Sequence, residues 1–355
     1  MQFNRLYFLI ILACTFNIAF AQKPVTQFNG FGHLEYTMDY TDHADQFFSI
    51  GEHDFFVSSK LNDRISFLGE YVVRFNGNSA TSFLPSIERS FVKFNYYKNH
   101  NLIFGKVHSP VNYWNDVYHH GRLFFPVIDR PAAFSYLVPL HTLGLQMQGQ
   151  NLGDQNFGYD IVVGNGISST DVFNDNLDMS LTAAFHIKPK DGMRIGASYY
   201  YDFLEKNASG THSGHAGPRT HYTGPLYKGA LNYHLISFSF ANFSPKLELL
   251  NEFTYNITHT DTLGTANNVA NFIYAGYRIQ EKHVPYVLFE YLKIDEKDLH
   301  TYELKTKKWA VGYKHEFNHL INLKAQLEYS NLHHHNMSTM HADKFSFRLQ
   351  LSYGF

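Results

Sequence analysis

The chain has 355 residues, with 29 Lys and Arg against 31 Asp and Glu, and a formal net charge of −2. That balance leaves no basic footprint for nucleic acid, and a single cysteine, Cys14, excludes a disulfide framework. Aromatic residues make up 17%, with 33 Phe and 25 Tyr but 2 Trp, while mean hydropathy is only −0.29, a combination that fits strands of alternating apolar and polar residues.

At the N-terminus, Arg5 precedes the apolar run Leu6 to Phe20, and Ala19-Phe20-Ala21 is followed by Gln22. This reads as a secretory signal peptide over 1–21, leaving a domain at 22–355. Two rival readings stand beside it. An uncleaved membrane helix needs ~20 apolar residues, and this run is shorter and holds Thr15 and Asn17. Lipidation is the other, at Cys14 after Ile11-Leu12-Ala13. Past this stretch no segment is long and apolar enough for a membrane helix.

Alternation starts at Phe28. Phe28, Gly30, Gly32, Leu34, Tyr36, Met38 and Tyr40 share one face; Asn29, His33, Glu35, Thr37 and Asp39 share the other. Charges at every second position are costly in hydrocarbon and favourable in a hydrated lumen, so Glu35 and Asp39 are expected to point inward. The same division places Arg64, Glu70 and Arg74 opposite Ile65, Phe67 and Tyr71; Arg194 opposite Met193 and Ile195; Lys324 and Glu328 opposite Leu323 and Leu327; and Arg348 opposite Phe347 and Leu349. Around Leu231 to Phe240 the apolar side switches between Leu235 and Ile236, which predicts a bulge.

Short polar connections, as at Asn62-Asp63, Lys188 to Gly192 and Glu316 to His319, alternate with longer ones, as at Asn76 to Phe83, Val107 to Pro139, Leu204 to Gly224, Thr258 to Asn267 and Leu332 to Ala342. Tight turns at one end and longer loops at the other predict an all-β, transmembrane, antiparallel up-and-down barrel of about 16 strands. A barrel of that size encloses water rather than a packed interior. A propeller would show blade repeats of roughly 40 to 50 residues, and none is visible.

The last stretch, Lys344 to Phe355, alternates without a fault and ends on an aromatic. With it in place, the chain resembles Gram-negative outer-membrane porins, which commonly end in an aromatic residue recognised during barrel assembly. The resemblance rests on architecture over the whole mature chain, with Phe355 as its one residue-level match. It implies location in the outer membrane, lipid around the barrel, contact with the barrel-assembly machinery through the C-terminal strand, and a homotrimer as one arrangement. It also implies that the connection 107–139, after the fifth strand, folds inward to narrow a pore. Phe104-Gly105-Lys106 is similar to phosphate-selective porins, and the Tyr-rich, Trp-poor composition looks like proteins of the Bacteroidota.

The expected function is diffusion of small hydrophilic solutes or ions through a barrel narrowed by this loop. A non-conducting outer-membrane barrel that binds a partner in secretion, assembly or metal uptake is the alternative. The loop mixes Trp114, Phe124, Phe125 and Phe134 with charged residues, and a loop surrounded by water has no use for so many aromatics. Lys106, Asp116, Arg122, Asp129 and Arg130 are the expected constriction; Arg64, Arg74, Arg194, Lys324, Arg348, Glu70 and Glu328 are expected on the lumen wall. No cofactor is expected, and no enzyme: His234 and Ser237 lie close together without a catalytic spacing. His119-His120 and His333-His334-His335 are weak candidates for metal ligands, since no cysteine or fixed spacing accompanies them.

Overall fold

Alternation along the chain becomes a closed sheet. The computed structural model describes residues 24–40, 45–75, 83–119, 121–167, 178–204, 230–298, 304–333 and 341–355; the signal-peptide stretch, His120, His334 and His335 lie outside them. Sixteen strands follow in order: β1 (Val25–Tyr40), β2 (Asp45–Lys60), β3 (Ile65–Phe75), β4 (Phe83–Tyr97), β5 (His100–His108), β6 (His141–Leu152), β7 (Phe157–Gly164) and β8 (Ser180–Ile187). The second half continues with β9 (Met193–Leu204), β10 (Leu231–Phe243), β11 (Leu247–Thr260), β12 (Gly264–Tyr277), β13 (His283–Ile294), β14 (Leu304–Asn318), β15 (Ile321–His333) and β16 (His341–Gly354). Each strand pairs with its neighbours in sequence, and β1 pairs antiparallel with β16 from Phe31↔Gly354 to Tyr40↔Phe345. No edge is left unpaired, as a sheet surrounded by lipid requires.

The faces divide as alternation dictates. Phe28, Phe48, Phe104, Trp309 and Val311 are exposed on the outside, whereas His33, Glu70, Asp160, Asp202, Glu248 and Lys324 are buried on the inside. An apolar outer surface of this extent suits lipid and would aggregate in water. Two register shifts re-aim carboxylates. The β1–β2 ladder steps from Gly32↔His53 to Leu34↔Ile50, and the β3–β4 ladder from Glu70↔Arg89 to Tyr71↔Ile87. The extra residues leave Glu52 and Glu88 on the inner side, where both reach Arg74, at 3.1 and 3.0 Å.

Two expectations need correction. β10 pairs with β9 and β11 without any register shift, so no bulge separates Leu235 from Ile236. Leu231, Tyr233 and Leu235 are fully buried and point inward, because something apolar covers them from inside. The connection expected over Thr258 to Asn267 is also shorter, since β11 and β12 stay paired up to Thr260↔Gly264 and leave only residues 261–263 between them.

The cover over β10 is the connection between β5 and β6. Sixteen strands leave more interior than wall side chains can fill, and residues 109–119 and 121–140 occupy part of it. Val111, Trp114, Phe125, Val127, Phe134 and Leu137 form one buried cluster with the inward residues Tyr200, Leu235, Leu250, Phe272, Tyr274 and Leu292. Each large apolar side chain removed from water in this way contributes ~1.5–3 kcal/mol. The inner wall from β9 to β14 is therefore an apolar bed, and the loop's aromatics lie on it.

Candidate pore and inserted loop

The loop leaves the wall at His108 and rejoins it at His141, which pair with each other across β5 and β6. It descends through a single π-helical turn, Trp114–Tyr118, and returns through a short helix, Ala132–Tyr136. On the first limb Asn112 Nδ2 donates to Thr254 Oγ1 at 2.9 Å, the Trp114 N–H donates to Glu252 Oε1 at 2.9 Å, and Arg194 Nη2 meets Asp116 Oδ2 at 2.6 Å. These ties fix it to β9 and β11. At its far reach Asn322 Nδ2 donates to the Leu123 carbonyl at 2.6 Å, Lys324 Nζ donates to the Arg122 carbonyl, and Phe124 packs edge-on against Phe31. The chain has crossed from β9 to β15 and β1.

The return limb is held by charge. Arg130 Nη2 meets Glu52 Oε2 at 2.6 Å, and Arg130 Nε donates to the His119 carbonyl at 3.0 Å. Asp129 takes a hydrogen bond from Arg348, which also reaches Glu35 Oε2 at 3.1 Å, and Lys308 stands 3.8 Å from Asp129. Lys308 lies 3.6 Å from both Glu290 and Glu328. Burial alone would raise the Asp129 carboxyl, but Arg348, Lys308 and Arg122 outweigh it and hold the group below the usual carboxylate range. Burial lowers the Arg122 guanidinium, with Arg130 adding to the effect. Among exposed ion pairs such contacts count for little, but a network bound to backbone and wall on several sides holds a loop in one place.

The residues expected at the constriction therefore fall into different settings. Asp116 faces Arg194 beside a cavity of about 690 Å³ lined by Tyr113, Tyr118, Lys188, Asp191 and Phe243, at the short-turn end of the barrel. Arg122, Asp129 and Arg130 are tied to the wall and to the loop itself. Lys106 belongs to β5 rather than the loop, and its ammonium donates to the Ile87 carbonyl. Of the residues expected on the wall, Glu70 pairs with Arg89, Arg74 bridges Glu52 and Glu88, and Lys324 and Glu328 are buried. Arg64 sits in the exposed turn before β3. The wall residues that sequence reading missed are the apolar ones on β9 to β14, together with Glu52 and Glu88, whose inward direction depends on register shifts.

The histidines separate in a similar way. His333 is the last residue of β15, with backbone partners Lys305 and His341, so it lies in a strand rather than a loop. His119 meets His108 and His141 instead; one nitrogen of each lies within 4.8 Å of the others.

No family model and no curated protein matches this chain. Solved structures do. An anion-selective porin from Comamonas acidovorans is 9% identical with a TM-score of 0.66, the alignment covering 94% of this chain and 100% of that one. OmpT of Vibrio cholerae, an outer-membrane protein solved in a trimer form, is 12% identical with a TM-score of 0.62 over 94% of this chain and 100% of its own. The outer-membrane channel DcaP of Acinetobacter baumannii is 12% identical with a TM-score of 0.61 over 95% and 99%. At these identities the likeness is one of fold: the chain shares the closed sixteen-stranded barrel of outer-membrane porins.

Proposed function

We propose that the chain is an outer-membrane channel through which small hydrophilic solutes or ions diffuse, with residues 109–140 setting its narrowest section. The observation that carries this reading is the loop's attachment on both sides of the lumen, through Glu252 on β11 and through Glu52 and Arg348 on β2 and β16. A loop bridging the interior narrows whatever passes. Cations and carboxylates are balanced along it, so the reading assigns no preference between anions and cations. In this account residues 1–21 are a cleaved signal, Phe355 is read by the assembly machinery, and part of the apolar outer belt serves a homotrimer, as in the trimer form of the Vibrio cholerae protein.

One observation favours a second reading, a barrel closed at rest. Among the described loop residues only Val117, Phe124 and Ser135 are exposed, as for a plug rather than a rim. Planar-bilayer recording of the purified full-length barrel tests the proposal. Stable ohmic steps with a measurable reversal potential support diffusion; a silent, correctly folded barrel overturns it in favour of the plug.

A further inference from the structure

We propose that His108, His119 and His141 form a binding site for one divalent transition-metal ion of the zinc or copper class. The three rings come from the last residue of β5, the loop, and the first residue of β6. His108 stacks on His119 with centroids 3.5 Å apart and planes 19° apart, while His141 meets His119 edge-on at 4.7 Å. Because one nitrogen of each lies within 4.8 Å of the others, an ion held ~2.0–2.1 Å from each nitrogen asks each of them to move towards a common centre by under about 1 Å.

The surroundings match what a metal-binding imidazole requires. His119 Nδ1 lies 2.7 Å from Asn115 Oδ1, which fixes the ring's orientation. Asn115 is itself held, its Nδ2 donating to the carbonyls of Ser109 and Leu140 at 2.7 and 3.1 Å. His141 Nε2 is 3.1 Å from Glu88 Oε2, and His108 Nε2 is 3.6 Å from Glu70 Oε2. At 3.1 Å the Glu88 carboxylate is placed to orient His141 and raise its basicity as a ligand, whereas the Glu70 approach to His108 is too long for a hydrogen bond. His119 also carries a backbone cost: its φ is +43° with ψ −89°, a region that non-glycine residues rarely occupy. Three imidazoles flanked by carboxylates, without thiolates, select zinc or copper over calcium or magnesium. An ion here would staple both roots of the loop to its first descending turn.

The test is titration of the refolded full-length barrel with Zn²⁺ and Cu²⁺ by calorimetry, together with electron paramagnetic resonance of the Cu²⁺ form. The expected result is one ion per chain, three nitrogen donors in the Cu²⁺ spectrum, and binding weakened at least ~10-fold in His119→Asn, His108→Asn and His141→Asn. Replacing His333, His334 and His335 together by Gln should leave it unchanged. No saturable binding, or binding that is equal in wild type and the three single variants, overturns the proposal. The donor count in wild type decides the matter even if a variant fails to fold, because one or two nitrogens rather than three would place the ion elsewhere.

Discussion

The backbone N–H of Trp114 donates to the Glu252 carboxylate at 2.9 Å, joining the inserted loop to β11 inside the barrel. The indole of the same residue is buried between Phe125 and Phe272, with centroids at 4.8 and 5.4 Å. One residue thus supplies both the polar tie and the largest apolar contact of the descending limb. Truncation by Trp114→Ala should cost the docked loop ~3–5 kcal/mol while leaving the strand ladders intact. The expected outcome is a barrel that still migrates as a folded band on a semi-native gel, with larger single-channel conductance and faster protease cleavage within 109–140. Unchanged conductance and cleavage would show that the loop is held by its charged limb alone.

Closure of the barrel gives a second prediction. Gly30 and Phe355 exchange backbone hydrogen bonds at 2.8 and 2.9 Å, and a Cβ on Gly30 would lie 2.5 Å from two atoms of the Phe355 ring. The glycine is there so that the terminal ring can lie over its neighbouring strand, an arrangement that supports otherwise bare strand glycines. Gly30→Ala should therefore lower the refolding yield, and adding Phe355→Ala should recover part of the loss. Two residues in contact couple by ~0.5–3 kcal/mol, which gel-shift melting of the four variants reads directly.

Acid should loosen the return limb in a defined window. Asp129 is held below the usual carboxylate range, and a group whose folded value is depressed adds stability that is complete above its unfolded value, ~3.9, and fades as pH falls towards the folded value. Between neutral pH and about 5 the contribution is constant. Wild type should thus melt at a higher temperature than Asp129→Asn at neutral pH, and the difference should shrink only below about pH 4. A gap that closes already at pH ~6 would place the responsible titration on another group.

Much of the wall was legible because the strands obey a period of two wherever no register shift interrupts them. Arg194, Lys324 and Arg348 each bond to the inserted loop and Glu35 bonds to Arg348, so these four side chains share the inner face on which alternation puts them, and β1 meets β16 in an antiparallel ladder. What alternation could not show is anything that depends on contact across the lumen. His108 and His141 are separated by the whole loop and meet only through the β5–β6 register. Glu52 and Glu88 owe their direction to register shifts that leave no mark in composition. The inward leucines of β10 resemble lipid-facing ones, since hydrocarbon and a buried loop both select apolar side chains.

That ambiguity at β10 can be resolved by one substitution. Leu235 is fully buried in the cluster beneath the loop, and Tyr233, on the same inner face, donates its hydroxyl to the Leu137 carbonyl. An alternation with a bulge after Leu235 would instead turn both side chains to lipid, where charge hinders insertion of the strand. Leu235→Asp separates these cases by where the damage appears. With Leu235 inward, the carboxylate meets the apolar face of the loop, burial of an unpaired charge pushes the two apart, and the lumen supplies water once they separate. The barrel should then insert with near wild-type yield, while its conductance rises and protease reaches the short helix Ala132–Tyr136. Failure to insert, with no folded band, would return Leu235 to the lipid face. Tyr233→Phe is the milder companion: it strands the Leu137 carbonyl at a cost of ~1–3 kcal/mol, and it should increase current noise without changing the yield of folded barrel.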